Sequence, residues 1–318
     1  ATAGVNHWVN VGVGEGDVAK AFGGNGPGTI AGFTAGGYTG SIVTDVIEKY
    51  AFASGTNDAT SHGTLTAARM DASASSSSTH GYTAGGGLPT QTTAMNKFAF
   101  AGSSISAVSH GDLASARQGT RGASSHNNGY AMGGDLAGSR QNKIDKFSFS
   151  SNITANNIGQ ISVARKRGSG CSSSTDGYMV AGQLASGNSN VVDKLSFSQD
   201  GNSTDHSDLN ISCNGAAGIS SSTHGYVAGG SDGTPTFNTI SRFLFSSNAI
   251  GTDHGDLTFG GYWPEGSSST THGHVAGGVT VSNVYIKSIS KFAYANSSSN
   301  TDHGDLTAIK GISTGHQY

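Results

Sequence analysis

A six-residue phrase returns six times along this chain, and its spacing leaves few folds open. It begins with glycine and, in five of the six copies, an aromatic residue, and it ends on small residues. The copies start at Gly32, Gly81, Gly129, Gly177, Gly225 and Gly273, so the steps are 49, 48, 48, 48 and 48 residues. A second phrase follows each copy, as in Ile47-Glu48-Lys49-Tyr50-Ala51-Phe52 and Ile144-Asp145-Lys146-Phe147-Ser148-Phe149. Apolar and polar residues alternate in it with period two, the mark of a half-buried strand. Lys49, Lys97, Lys146, Lys194, Arg242 and Lys291 hold one position in it, on the face opposite the aromatics. A third phrase, His110-Gly111-Asp112-Leu113, returns at His254 and His303. A serine-rich run such as Ser75 to Ser78 precedes each glycine-aromatic step. Turn residues such as Asp200-Gly201 separate the phrases. Each unit therefore predicts about four short strands, and no segment shows sustained helical spacing. Four-stranded units near this length are propeller blades, which bury their faces only against neighbours in a ring. The expectation is an all-β fold, one β-propeller domain over residues 1–318.

Composition is decisive at one point. Fifty glycines and only 12% charged residues could mean disorder, but thirteen Phe and ten Tyr recur at fixed places, as a buried core requires. A net charge of −3 argues against a nucleic-acid footprint, and the one basic run, Arg165-Lys166-Arg167, reads as a solvated loop. No apolar stretch approaches the length of a membrane span. The chain has neither a signal-like start nor an initiator Met, which we expect to reflect processing or trimming. Cys171 and Cys213 are too few for a disulfide framework and read as small, semi-buried thiols.

The Gly-Gly ending, the later aromatic strand and an arginine after the third phrase (Arg69, Arg117, Arg165) resemble the kelch repeat over nearly the whole chain. The tryptophan expected in a kelch repeat just before the third phrase is missing, and His-Gly-Asp stands near there instead. The wording Ser-Ser-Thr-His-Gly-Tyr with Asp-Lys-Phe-Ser-Phe resembles repeat proteins of marine bacteriophages. That resemblance implies a tail fibre or tail appendage, located in the virion or outside cells, whose partners are other virion proteins and a host-surface glycan or receptor.

Six repeats are complete between about Ala21 and Thr307. Near the start, Trp8-Val9-Asn10-Val11 imitates the aromatic strand and Gly16-Asp17-Val18 imitates Gly-Asp-Leu; near the end, Ser313 to Tyr318 imitates Ser-Thr-His-Gly-Tyr. These complementary fragments lead us to expect seven blades, the seventh shared by both termini, with a six-bladed ring as the runner-up.

Twelve histidines invite a metal or catalytic reading, but the repeat argues for architecture. The His80 position is Asn128, Asp176, His224 and His272 elsewhere, which suits a side chain bonding a local backbone group in a turn. The His110 position accepts Ile158, so it reads as packing and not as a metal ligand. The Asp112 position is Thr64 and Gln160 in other blades, and calcium would want clustered carboxylates. No nucleophile elbow, zinc-protease helix or phosphate loop is present. We expect no catalysis, no metal and no cofactor. Because blade strands are antiparallel, the loop after Gly-Gly shares a face with the connection between repeats. These loops vary most, holding Leu88 and Pro89 in one blade and Lys166 and Arg167 in another. Loops on a rigid scaffold commonly carry binding residues. The expected ligand face comprises Trp263, Tyr262, Phe237, Tyr285 and Arg140, aromatics beside polar groups that suit a sugar ring. A secreted lectin and a propeller enzyme, either a glycan hydrolase or a copper oxidase, are the alternative functions.

Overall fold

A computed structural model describes residues 28–53, 58–87, 90–233, 236–297 and 300–318. Among them there is no helix; the strands form six sheets of at least four strands, antiparallel except where Ile105–Ser106 adds in parallel to Thr60–Thr64, and two short ribbons. Each large sheet is one blade. In blade 3 the inner strand is Arg121–Ser124, followed outwards by Asn128–Met132, Lys143–Ser148 and Asn156–Gln160. Blades 2, 4, 5 and 6 repeat this order, with inner strands Ser73–Ser76, Ser169–Ser172, Ala217–Ser220 and Glu265–Ser268.

Blade 1 differs, and it corrects the expected count. Its second, third and outer strands are Ala31–Ala35, Val46–Ala51 and Thr60–Thr64, but its inner strand is Thr314–Gln317 from the other end of the chain. Ser313 to Tyr318 thus completes the first repeat and does not begin a seventh blade. The six inner strands pack in one closed circle, blade 6 against Thr314–Gln317 and Thr314–Gln317 against blade 2. The ring has six blades. The fragments at Trp8–Val11 and Gly16–Val18, like Leu88 and Pro89, lie outside the described residues.

The repeated phrases become seams between blades. The aromatic of the first phrase stacks on the last aromatic of the next blade's second phrase, just past the third strand: Tyr82 on Phe149 at 4.5 Å, Tyr130 on Phe197 at 5.0 Å, Tyr178 on Phe245 at 4.9 Å. At the seam from blade 6 to blade 1 the stack is His274 on Phe52, at 4.6 Å. The histidines of the third phrase cross the same seams. His62, His110, His206, His254 and His303 each place Nε2 2.7–2.9 Å from a backbone carbonyl of the next blade. Because a carbonyl only accepts, each ring donates an Nε2 proton. Ile158 fills this place in blade 3 without the bond, so the position is architectural.

The His80 column departs from expectation in detail. His80, His224 and His272 sit 2.8 Å from the hydroxyl of the preceding threonine, while a serine oxygen takes their backbone N–H. The serine, not the histidine, caps the turn. Asp112 accepts a hydrogen bond from the Thr93 hydroxyl at 2.8 Å.

A buried pair ties the connections to the blades. Arg117 meets Asp145 at 2.7 Å and Arg165 meets Asp193 at 2.6 Å, all four side chains sealed from solvent. Lys310 makes the same pair with Glu48, and Arg69 reaches Asn96 at 3.3 Å. In blades 5 and 6 the cation position holds Cys213 and Gly261, and the acid position holds Ser241 and Ser290. In these two blades cation and carboxylate disappear together, as expected when an unpaired buried charge is costly, whereas Arg69 keeps its charge against neutral Asn96 and bonds the carbonyls of Gly85 and Ala94. In five blades a register shift between the third and outer strands falls directly before the acid position, and in blade 2 a shift spans Ala94 to Asn96. In those five blades the extra residue lies on the outer strand and is that of the His110 column (His62, Ile158, His206, His254, His303), and such a bulge re-aims its side chain. The reading of Arg165-Lys166-Arg167 as solvated is therefore wrong: Arg165 is fully buried, and Lys166 and Arg167 side chains are 13% and 20% exposed. Cys171 and Cys213 are unpaired and fully buried, not semi-buried, and burial pushes both thiols up to about 12.

Candidate ligand-binding face

The inner strands meet so closely that their second position must lack a side chain almost everywhere. Ala74, Gly122, Gly170, Gly218, Gly266 and Gly315 hold it, and a Cβ on any of these five glycines would overlap a backbone carbonyl of the preceding blade. Two residues further along, serines girdle the axis. The backbone N–H of Ser76 donates to Ser124 Oγ (3.0 Å), Ser124 to Ser172 (3.1 Å), Ser172 to Ser220 (3.0 Å) and Ser220 to Ser268 (2.9 Å). Ser268 donates to Gln317 Oε1 at 3.3 Å and brings the closing strand into the girdle. This is what the serine-rich runs do. The axial cavity inside holds only about 60 Å³ of room for water-sized centres, enough for a few waters and too little for a sugar.

One mouth of the axis carries a second ring. Asp71, Gly119, Arg167, Gly215, Trp263 and Ile312 precede the six inner strands, and every one has a left-handed backbone, φ between 54° and 68°. Each N–H donates to the carbonyl of its counterpart in the preceding blade, from Gly119 to Asp71 (2.7 Å) round to Asp71 itself, which donates to Ile312 (3.0 Å). The circle of six bonds is closed. Glycine is the natural occupant of such a conformation, whereas bulky residues there are strained by about 1–3 kcal/mol. Four side chains nevertheless stand in it: Asp71, Arg167 and Trp263 at alternate places, and Ile312 between Trp263 and Asp71. The glycines between them make room, since a Cβ at Gly215 would come within 2.6 Å of the Trp263 indole.

These three side chains reach one another across the mouth. Arg167 Nε donates to Asp71 Oδ2 at 2.7 Å, and its guanidinium lies 5.1 Å from the centre of the Trp263 ring. Arg121, on the inner strand below, contacts Asp71 Oδ1 at 3.4 Å. Burial raises the Asp71 carboxyl, but Arg167 and Arg121 outweigh it and hold the group below the ordinary carboxylate range. Glu265 lines the cavity beneath, and desolvation pushes it up to about 8. Trp263 Nε1 is buried and has no hydrogen-bond partner among the described residues.

The two loop classes do share this face. In each blade a residue of the incoming connection pairs with one in the loop after the Gly-Gly position, as in Lys166 with Gln183 and Tyr262 with Val279. Of the five residues singled out from sequence, three gather here. Tyr262 packs edge-on against Trp263 at 4.6 Å and donates its hydroxyl to Asn283 Oδ1 at 2.7 Å. Tyr285 meets Tyr38 edge-on at 5.6 Å, and its hydroxyl feels the charge of Arg167 and the neighbouring Tyr262. All four rings are half-buried. Phe237 is not part of the group: it packs on the core cluster of Cys171, Cys213 and Phe243. Arg140 is engaged elsewhere, with Asp135 Oδ2 at 2.5 Å and Gln183 at 3.2 Å. Sequence reasoning placed Arg167 on this face without counting it among the site residues, and it missed Asp71 and Tyr38. The signal was present for Arg167 and Asp71: at the repeat spacing, the column runs Asp71, Gly119, Arg167, Gly215, Trp263, Ile312, with glycine between Asp71 and Arg167 and between Arg167 and Trp263.

Among the described residues no three His, Cys, Asp or Glu side chains come together as metal ligands, and no helix is long and apolar enough to cross a membrane. No model of a known protein family and no curated protein sequence matches the chain.

Proposed function

We propose that the chain is a non-catalytic recognition module of kelch-like type, the receptor-binding part of a virion such as a tail fibre or appendage, which engages a host-surface glycan through the loop face of blades 1 and 6. One observation carries this reading. The largest departures from the sixfold repeat, strained Asp71, Arg167 and Trp263, converge with Tyr38, Tyr262 and Tyr285 on one mouth of the axis. Strain held in a rigid scaffold is characteristic of ligand sites, and half-exposed rings beside hydroxyls and a guanidinium offer a sugar both an apolar wall and polar partners. Weighing against hydrolysis, Asp71 is only 1% exposed with both oxygens engaged by arginine, and the cavity beyond Glu265 is too narrow for a sugar. A protein receptor is the second reading, favoured by Ile42, Val281 and Val284, each more than half exposed on the same loops.

The test is a glycan array on the purified chain, with Trp263→Ala and Tyr285→Ala alongside. We expect selective binding that both substitutions weaken by roughly tenfold or more, the loss of a stacked ring being about 1–2 kcal/mol. Binding unchanged in both variants would remove this face, and no binding at all would leave the protein-receptor reading.

A further inference from the structure

Resting on the reading above, we infer that the ligand of this face is an acidic sugar, a carboxylated or sulfated glycan, whose charged group is held by Arg167. The side chain of Arg167 is fixed from two sides. Asp71 accepts from its Nε at 2.7 Å, and the guanidinium carbon lies over the Trp263 ring, 5.1 Å from the ring centre. Its terminal nitrogens, Nη1 and Nη2, have no hydrogen-bond partner among the described residues, and the side chain keeps 20% of its surface open. A guanidinium anchored through Nε, with both terminal nitrogens free, can grip a planar or tetrahedral oxyanion by two parallel bonds. Preorganisation by Asp71 and Trp263 removes most of the entropy such a grip would otherwise cost.

Charge around it points the same way. Asp71 is a single carboxylate against two guanidiniums, those of Arg167 and Arg121. Lys166, the next cation, sits 3.7 Å from Asp135, an acid already engaged by Arg140. Positive charge is therefore in excess at the mouth. Tyr285 stands in electrostatic reach of Arg167 and supplies the apolar wall on which a sugar ring bearing that oxyanion would rest. A neutral sugar would use the rings and leave the guanidinium edge idle. An anion without a ring would use the edge and leave the aromatics idle.

The experiment measures binding of the whole chain, by calorimetry, to four probes: a uronate oligosaccharide, a sulfated galactan oligosaccharide, and the neutral counterpart of each, with the acid esterified or the sulfate removed. Arg167→Gln and Arg167→Lys are run beside the parent, and a melting curve for each variant confirms that it is folded. We expect at least one acidic probe to bind, with its neutral counterpart weaker by roughly tenfold or more, the contribution of a charge-assisted pair. Arg167→Gln should bring the acidic probe down to the neutral one, Arg167→Lys should retain part of the difference, and added salt should weaken the acidic probe alone. Binding to the carboxylated or the sulfated probe only would name the acid. Equal binding of acidic and neutral probes, indifferent to Arg167→Gln, would overturn the inference and leave glycan recognition standing. Failure of every probe, acidic and neutral, would overturn both.

Discussion

His274 occupies a place where four of the other blades have tyrosine, and burial there strongly disfavours its charged form. It is 1% exposed and stacked on Phe52, and neither ring nitrogen has a hydrogen-bond partner among the described residues. Burial, with His303, His272 and Lys291 nearby, lowers its pKa to about 2. In the unfolded chain it titrates near 6.5, so between those values the unfolded state binds the extra proton. Stability from this group is complete above about pH 6.5 and falls as the pH drops, by about 2 kcal/mol at pH 5. His316, lowered by burial to about 4, adds to the loss with the same sign. Urea midpoints at pH 7 and pH 5 should show a marked drop in the parent and a smaller one in His274→Tyr. The tyrosine has a ready place: in blade 2 the Tyr82 hydroxyl donates to the Phe149 carbonyl at 3.2 Å. An equal drop in both proteins would remove His274 from the account of acid sensitivity.

At the scale of the element, each connection between blades is pinned at both ends. In blade 4 the backbone carbonyl of Arg165 accepts from Gly134 of the preceding blade at 2.9 Å, while its side chain bonds the Ala181 carbonyl at 2.7 Å and pairs with Asp193 at 2.6 Å. The repeat contains its own control, because blade 5 fills the same two positions with Cys213 and Ser241. Asp193→Ser alone leaves a guanidinium buried without its carboxylate and should cost about 3–5 kcal/mol. Adding Arg165→Cys removes the orphaned charge and should recover most of that loss, up to the cavity the smaller side chain leaves. Urea unfolding of both singles and the double closes the cycle. A double variant as unstable as the sum of the singles would mean that the two residues do not act as a pair. The arginine column was legible in the sequence; its partner was not, because the third strand is buried on both faces, Val192 and Asp193 alike, and alternation alone does not say which face meets the connection carrying Arg165.

For the whole molecule, closure rests on six residues. Without Ser313 to Tyr318, the strand Ala31–Ala35 becomes an unpaired edge inside the ring. The girdle then loses Gln317, the bonded circle loses no member but its Ile312 anchor is left dangling, and Phe100 loses the Tyr318 ring stacked on it at 5.4 Å. Deleting these residues should abolish the cooperative melting transition and shift the chain to aggregates on size exclusion. A deletion variant that stays monomeric and melts within a few degrees of the parent would show that the ring holds without its closing strand.

The sequence by itself determined the repeat, its period, the strands and the face on which variable loops gather, because each depends on chemistry local to one blade: alternation, turn residues and glycine. It also pointed to Trp263, Tyr262 and Tyr285. Only the tertiary structure decided how many blades there are. A fragment that imitates the start of a unit is the same string whether it founds a new blade or completes an old one, and the choice is made by pairing across more than 270 residues, Thr314 with Ala35. The ligand face was decided in the same way. Asp71, Arg167 and Trp263 are spaced two repeats apart along the chain, and they become neighbours because the ring brings the six connections to one axis and the glycines between them leave room for the side chains to meet.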